Sequence, residues 1–181
     1  MTPAEYIQLK AFARQDGVLL SVLWVGSFGC YVIGLSSPFY AMLALLLTLS
    51  TPFVAALRLR HFRDYGCEGF ISLMRGWAFV SLMFFYAGVL FALAQYAYFA
   101  FIDNGFLVET VTGMMSDKES KAILREAGMW DSVNDTLHEL QQMRPIDLAV
   151  NVLTTNITAG IVLGLPIAVL MRKNRPLNPL S

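Results

Sequence analysis

The sequence predicts an all-α integral membrane protein with four transmembrane helices, and three observations support this prediction. The chain of 181 residues is 56% hydrophobic and only 14% charged, which differs from the balance of a soluble domain. Four stretches are apolar over roughly the 20 residues that a spanning helix needs: 17–36, 38–57, 76–102 and 146–171. Nearly all charged residues lie outside these stretches. We therefore expect a single membrane domain covering residues 1–181.

The first two helices are predicted to form a tight hairpin. Glu5 and Asp16 dilute the basic character of the N-terminus and no small-residue cleavage site follows, so the first apolar stretch is expected to remain as a helix rather than act as a signal peptide. The connection to the second helix is short and uncharged. Within it, Ser37 is placed to cap the second helix and Pro38 occupies its first turn.

The distribution of charge predicts the orientation of the four helices. The N-terminus, the loop 58–75 and the C-terminal tail carry nine of the 13 Lys and Arg residues, whereas the segment 103–147 carries four bases and nine acids. By the positive-inside rule, both termini and the loop 58–75 face the cytoplasm. The acidic segment then faces the periplasm of a bacterial inner membrane.

The periplasmic segment 103–145 is predicted to be helical. The pattern Ser116-x-x-Glu119 is a capping box and Gly128 can end the helix that follows it. A second short helix is predicted over 131–143, where Val133, Leu137 and Leu140 recur at helical spacing. This apolar stripe is expected either to lie on the membrane or on the third helix, or to form a surface for a partner.

The fourth helix combines two faces that disfavour contact with lipid. At 100° per residue, one face carries a polar stripe, defined here as Asp147, Asn151, Thr154, Thr155 and Thr158. Such side chains either hold helices together or line a path for a solute between them. The absence of a deeply placed charge favours the first interpretation, and Pro166 predicts a kink near the inner end.

Small residues at four-residue spacing predict where helices approach each other closely. They occur on two helices: Gly26, Cys30 and Gly34 on the first, and Asn156, Gly160 and Gly164 on the fourth. We expect these residues to pack against neighbouring helices, with a dimer face as the alternative. Trp24 and Gln95, the unusual polar residues of the first and third helices, are expected to hydrogen-bond to a neighbouring helix.

The basic residues near the cytoplasmic boundary are candidates for contact with anionic lipids, because arginine and lysine near a membrane surface attract acidic head groups. They are Arg58, Arg60, Arg63, Arg172, Lys173 and Arg175. A site for a phosphorylated lipid is a sharper alternative. His61 and Cys67 lack the paired spacing of a zinc site, and Cys30 and Cys67 are expected to be free thiols.

The inner loop and its neighbours also resemble a known family. Glu68-Gly69-Phe70-Ile71-Ser72 and the exit Tyr96-x-Tyr98-x-x-Phe101-Ile102-Asp103-Asn104 are similar to the Gly-Gly-aromatic-Ile-Ser and aromatic Phe-Ile-Asp-Pro motifs of the Bacteroidetes membrane family catalogued as domain of unknown function 4199. The resemblance spans essentially the whole chain. It implies a four-helix inner-membrane protein and supplies no activity or catalytic residues. It also implies a loose association with a membrane-bound family-2 glycosyltransferase.

The sequence carries no catalytic, phosphate-binding or paired-cysteine motif, so we expect no enzyme, no cofactor and no metal. Nucleic-acid binding is not expected, because the positive-inside rule already accounts for the basic residues. The first hypothesis is a non-catalytic subunit or scaffold in the lipid bilayer that packs with itself or with another membrane protein through the fourth helix and the periplasmic helices. The alternative is a small carrier or lipid translocase that uses the polar stripe and works beside a membrane glycosyltransferase.

Overall fold

The computed structural model describes residues 2–173 and shows an all-helical chain. Four helices are long and apolar enough to cross a membrane. The helices follow in the order α1 (Pro3–Gly34), α2 (Pro38–His61), α3 (Leu73–Phe101), α4 (Phe106–Ser116), α5 (Lys118–Glu126), α6 (Trp130–Gln142) and α7 (Pro145–Met171), and one π-helical turn (Phe62–Gly66) continues α2. The chain divides into two compact units, one of which is Leu93–Asn151 and the other the remainder.

Helix α1 begins 14 residues before the apolar stretch that predicted it. A capping box starts it, because the Thr2 hydroxyl accepts from the Glu5 amide at 3.3 Å and the Glu5 carboxylate accepts from the Thr2 amide at 2.7 Å. Its early turns are amphipathic, and Leu9 and Ala13 are fully buried. A search for uninterrupted apolar residues misses this N-terminal extension of α1, because buried and charged residues alternate along it.

The hairpin between α1 and α2 forms as predicted, with one difference at the cap. A Cβ atom on Gly34 would lie 2.6 Å from the Ala41 backbone nitrogen, so the two chains approach closely at the turn. Pro38 begins α2, but the Ser37 side chain makes no capping hydrogen bond. The prediction that Ser37 caps with its hydroxyl is therefore wrong. Its backbone carbonyl accepts from the Tyr40 and Ala41 amides instead.

The core of the first unit forms where α1, α2 and α3 meet. Phe62 of the π-helical turn stacks on Phe79 of α3, with their ring centroids 4.6 Å apart and the rings nearly parallel. Leu59, Met83 and Phe84 are also buried around this pair. After the turn, Ile71 pairs through backbone hydrogen bonds with Lys173, which ties the inner loop to the end of α7.

The short helices of the second unit differ from the prediction at one boundary. Helix α4 was expected only as part of a helical segment, and Ser116 is its last residue rather than a cap. The cap of α5 is Asp117, whose carboxylate accepts from the Glu119 amide at 3.4 Å. Gly128, at a φ of +67°, follows α5 as predicted.

The apolar stripe of α6 is turned inward. Helix α6 packs on α4 and α5, Leu137 is buried, and Val133 and Leu140 are half-buried. Neighbouring helices of the same chain therefore cover part of this stripe, and its use as a partner surface stays a prediction. Short amphipathic helices need packing to persist, and here the chain supplies it with its own neighbouring helices.

Candidate functional site

The glycine face of α7 is the surface on which α3 packs. A Cβ atom on Gly160 would lie 2.4 Å from Phe84 Cβ, and one on Gly164 would lie 3.0 Å from Trp77 Cδ1. Near Asn156, the reciprocal glycine belongs to α3, since a Cβ on Gly88 would meet Asn156 Cβ at 3.4 Å. These three contacts place the small residues of α7 at a close crossing with α3. Larger side chains at these positions would hold the two helices apart.

An indole hydrogen bond adds to this crossing. The Trp77 ring nitrogen donates to the Ile161 carbonyl at 2.9 Å. A helix carbonyl can accept a second hydrogen bond because it has two lone pairs. The α3–α7 contact therefore combines close backbone approach with one directional bond.

The polar stripe of α7 has the opposite environment. Asn151, Thr154, Thr155 and Thr158 are all exposed on the surface of the chain. Thr158 donates its hydroxyl back to the Thr154 carbonyl at 2.9 Å, which is the usual way for a threonine to satisfy itself within a helix. The stripe therefore lies on the outside of the molecule, where it is open to lipid or to another protein.

Asp147, the acidic member of the stripe, is held at the start of α7. Its carboxylate accepts from the Arg144 guanidinium at 2.8 and 3.0 Å and from the Arg144 amide at 3.1 Å. The side-chain hydrogen bond to Asp147 and the negative charge of that carboxylate raise the pKa of Arg144 above its usual value. The structure therefore gives Asp147 a local ion pair at the helix end.

The small residues of α1 are used differently from the sequence prediction. Within the described residues, nothing lies within 4 Å of a Cβ placed on Gly26, and Cys30 is half-buried. Gly26 is therefore not a point of close approach. Helix α1 approaches α3 closely at Gly17, where a Cβ would lie 2.8 Å from Tyr86 Cβ. Gly17 was predicted only as the start of the apolar stretch, although Ala13 and Ser21 continue its four-residue spacing of small residues.

Polar groups between α1 and α2 are paired with each other. The Trp24 ring nitrogen donates to the Thr51 hydroxyl at 3.1 Å, which confirms the hydrogen bond expected of this tryptophan. The Ser27 hydroxyl lies 2.9 Å from both the Ala44 carbonyl and the Thr48 hydroxyl. Gln95 of α3 is also buried, but its Oε1 has no hydrogen-bond partner among the described residues.

Asp16 forms a buried ion pair that neither hydropathy nor residue spacing indicates. The carboxylate is 1% exposed, and its Oδ1 accepts from Arg58 through both Nε, at 2.8 Å, and Nη2. Its Oδ2 is buried without a hydrogen-bond partner among residues 2–173. The two residues lie 42 positions apart, and hydropathy alone does not reveal a pair that depends on how α1 and α2 cross.

The family model described as "Protein of unknown function (DUF4199)" matches residues 15–173. This match covers most of the chain. The chain belongs to the DUF4199 family. This match confirms the family resemblance that the inner loop and the end of α3 predicted. No curated protein and no solved structure matches the chain.

The basic residues of this DUF4199 chain divide into paired and exposed groups. Arg58 donates to the Asp16 carboxylate. Arg63 donates to Asp64 at 2.7 Å and to the Met171 carbonyl at 3.1 Å. Internal acceptors therefore engage Arg58 and Arg63, and contact of these two residues with lipid head groups stays a prediction.

Three candidates for lipid contact keep exposed side chains. Arg60 is largely exposed beside Asp64, at 3.7 Å, and Arg172 and Lys173 are exposed at the end of α7. The Lys173 ammonium also lies 5.7 Å from the centre of the Phe70 ring. Arg175, the last predicted contact, lies outside the described residues.

The thiols of the DUF4199 chain are free, as predicted. Cys67 follows the π-helical turn and is 7% exposed. Burial raises the pKa of the Cys67 thiol above its usual range. Within the described residues, no three His, Cys, Asp or Glu side chains come together in a way that could hold a metal ion.

Proposed function

We propose that the chain is a non-catalytic subunit of a bacterial inner membrane that pairs with a second copy of itself through the polar stripe of α7. The observation that carries the proposal is the exposure of Asn151, Thr155 and Thr158 on the outside of a helix long and apolar enough to span a membrane. Both termini lie in the cytoplasm in this proposal, and the helices α4 to α6 lie in the periplasm.

The chemistry of the stripe favours association in the membrane. Hydrocarbon offers no hydrogen-bond partner, so exposed amide and hydroxyl groups in it gain by meeting the same groups on another helix. The opposite face of α7 is already occupied by α3 through Gly160 and Gly164. The stripe is therefore a polar face of α7 that α3 leaves open to a second molecule.

A second copy fits this stripe better than an unrelated protein. Asn carries both donors and an acceptor, and Thr can donate and accept, so the stripe is complementary to itself. A two-fold axis brings the same patch of both chains together and satisfies these groups reciprocally. The transport alternative has less support, because Asp147, the titratable member of the stripe, is held by Arg144.

The test replaces the polar side chains of the stripe by leucine. Interhelical hydrogen bonds in membranes contribute about 0.6 to 2 kcal/mol each, so the loss of one bond at each position in Asn151→Leu combined with Thr155→Leu should weaken dimerisation by roughly tenfold to nearly a thousandfold. Dimerisation is measured in lipid vesicles by single-molecule photobleaching over a range of protein-to-lipid ratios. The control is Ile161→Leu, at another exposed position of α7.

Two results would contradict the proposal. The wild-type chain would remain monomeric at every protein-to-lipid ratio, or the double variant would dimerise as well as the wild type. Crosslinking between copies of a Thr158→Cys variant gives a direct check, since the proposal brings the two copies of position 158 close together.

A further inference from the structure

The first unit contains a cavity of about 510 Å³. Residues of α1, α2, α3 and α7 line it: Trp24, Ser27, Phe28, Tyr31, Ala41, Ala44, Leu45, Thr48, Phe91 and Asn156. Its volume lies within the range of about 300 to 1,000 Å³ typical of small-molecule sites. The lining is mostly apolar and aromatic, so an apolar molecule would be retained there.

The polar groups of the lining are mostly satisfied. The Ser27 and Thr48 hydroxyls bind each other and the Ala44 carbonyl, at 2.9 Å in each case. The Trp24 ring nitrogen is held by Thr51. These groups therefore shape the cavity and leave its recognition chemistry to another residue.

Asn156 differs from Trp24, Ser27 and Thr48. Its Nδ2 is buried without a hydrogen-bond partner among residues 2–173. A buried donor without a partner has lost its hydrogen bonds to water, so an acceptor that reached it would be favoured. The terminal torsion of asparagine is broad, and rotation of the amide can turn this donor into the cavity that Asn156 lines.

We propose that this cavity binds a lipid-soluble planar carbonyl compound of the quinone class, whose oxygen accepts a hydrogen bond from Asn156. Trp24, Phe28 and Phe91 form one aromatic wall of the cavity, in which Phe91 packs edge to face with Trp24 and with Phe28 at centroid distances of 5.8 and 6.1 Å. A flat ring can pack against such a wall. A quinone tail extends into the apolar remainder of the cavity and the surrounding lipid.

The depth of Asn156 distinguishes a quinone from a phospholipid. Asn156 lies near the middle of the apolar span Pro145–Met171. The hydrocarbon core of a bilayer is about 30 Å thick, and the ester carbonyls of phospholipids lie at its edges. A carbonyl that meets Asn156 must therefore belong to a molecule that enters the core with its polar atoms.

The test uses the full chain in nanodiscs, titrated with decylbenzoquinone while tryptophan fluorescence is recorded. Quenching should saturate at one probe per chain, since Trp24 borders the cavity. Asn156→Leu should weaken binding about threefold to tenfold, which is the effect of one hydrogen bond, and Asn156→Gln should retain binding because it keeps the amide donor. Ile161→Leu, which is outside the lining, should bind as the wild type does.

Two further arms keep the test independent of the folding of any one variant. Ala44→Phe fills the cavity without changing Asn156 and should abolish saturable binding. Decylbenzene, which lacks the carbonyls, should compete poorly with decylbenzoquinone on the wild-type chain. Linear, unsaturable quenching of the wild type, unchanged affinity in a folded Asn156→Leu variant, or equal competition by decylbenzene would each overturn the proposal.

Discussion

Replacing Gly160 by alanine tests whether the close crossing of α3 and α7 stabilises the helix bundle. The added Cβ would lie 2.4 Å from Phe84 Cβ and 2.8 Å from Phe84 Cγ, whereas carbon atoms pack best about 3.5 to 4.0 Å apart. Both Cβ atoms are attached to the backbone, so the helices themselves must move apart. Overpacking of this kind costs about 1 to 3 kcal/mol.

Gly26→Ala is the matched control, because nothing among the described residues lies within 4 Å of its Cβ position. Alanine is preferred over glycine in a helix by about 0.5 to 1 kcal/mol, and this gain is common to both variants. The difference between them therefore isolates the overpacking cost of about 1 to 3 kcal/mol. Gly164→Ala should fall between the two, since its nearest contact is a side-chain atom of Trp77 at 3.0 Å.

The free energy of unfolding is measured by SDS titration of the protein in mixed micelles, with helix content followed by circular dichroism. We expect the order of stability to be Gly26→Ala, then Gly164→Ala, then Gly160→Ala. Equal stability of Gly160→Ala and Gly26→Ala would refute the reasoning, because it would show that α3 and α7 do not approach closely at Gly160.

Three other predictions use the same unfolding assay or a thiol assay. Arg58→Met should cost roughly 3 kcal/mol because it leaves the buried Asp16 carboxylate unpaired, and adding Asp16→Leu should recover part of this loss; no recovery would contradict the ion pair. Trp24→Phe should cost about 1 kcal/mol through the lost indole hydrogen bond, and an unchanged unfolding midpoint would contradict it. In a Cys30→Ala background, maleimide should label Cys67 more slowly in the folded than in the SDS-unfolded chain, and its rate should rise at higher pH, because the raised pKa keeps the thiol protonated; identical pH profiles would exclude that effect.

Much of the architecture could be predicted from local patterns. The apolar stretches predicted four long helices, since a spanning helix needs about 20 apolar residues whatever its neighbours are. Gly128 and the helix before it followed from turn chemistry, which depends on a few adjacent residues. The motifs around Phe70 and Tyr98 identified the family over most of the chain.

Features that depend on helix crossings could not be predicted in this way. The pair of Asp16 and Arg58 exists because α1 and α2 bring together two residues far apart in the chain, and each looked like a boundary charge by itself. The packing of α6 on α4 could not be predicted, because α4 was not recognised as a separate helix.

For α7, periodicity alone showed two distinct faces, and tertiary structure decided which of them the chain uses itself. The glycine face meets α3 and the polar stripe is left exposed. A helical wheel shows the angular position of each residue around the helix axis, and so which residues share a face. It does not show which other helix covers that face. The sequence by itself therefore determined the helices and their faces, while the crossings, the buried ion pair and the cavity beside Asn156 were decided by how those helices pack.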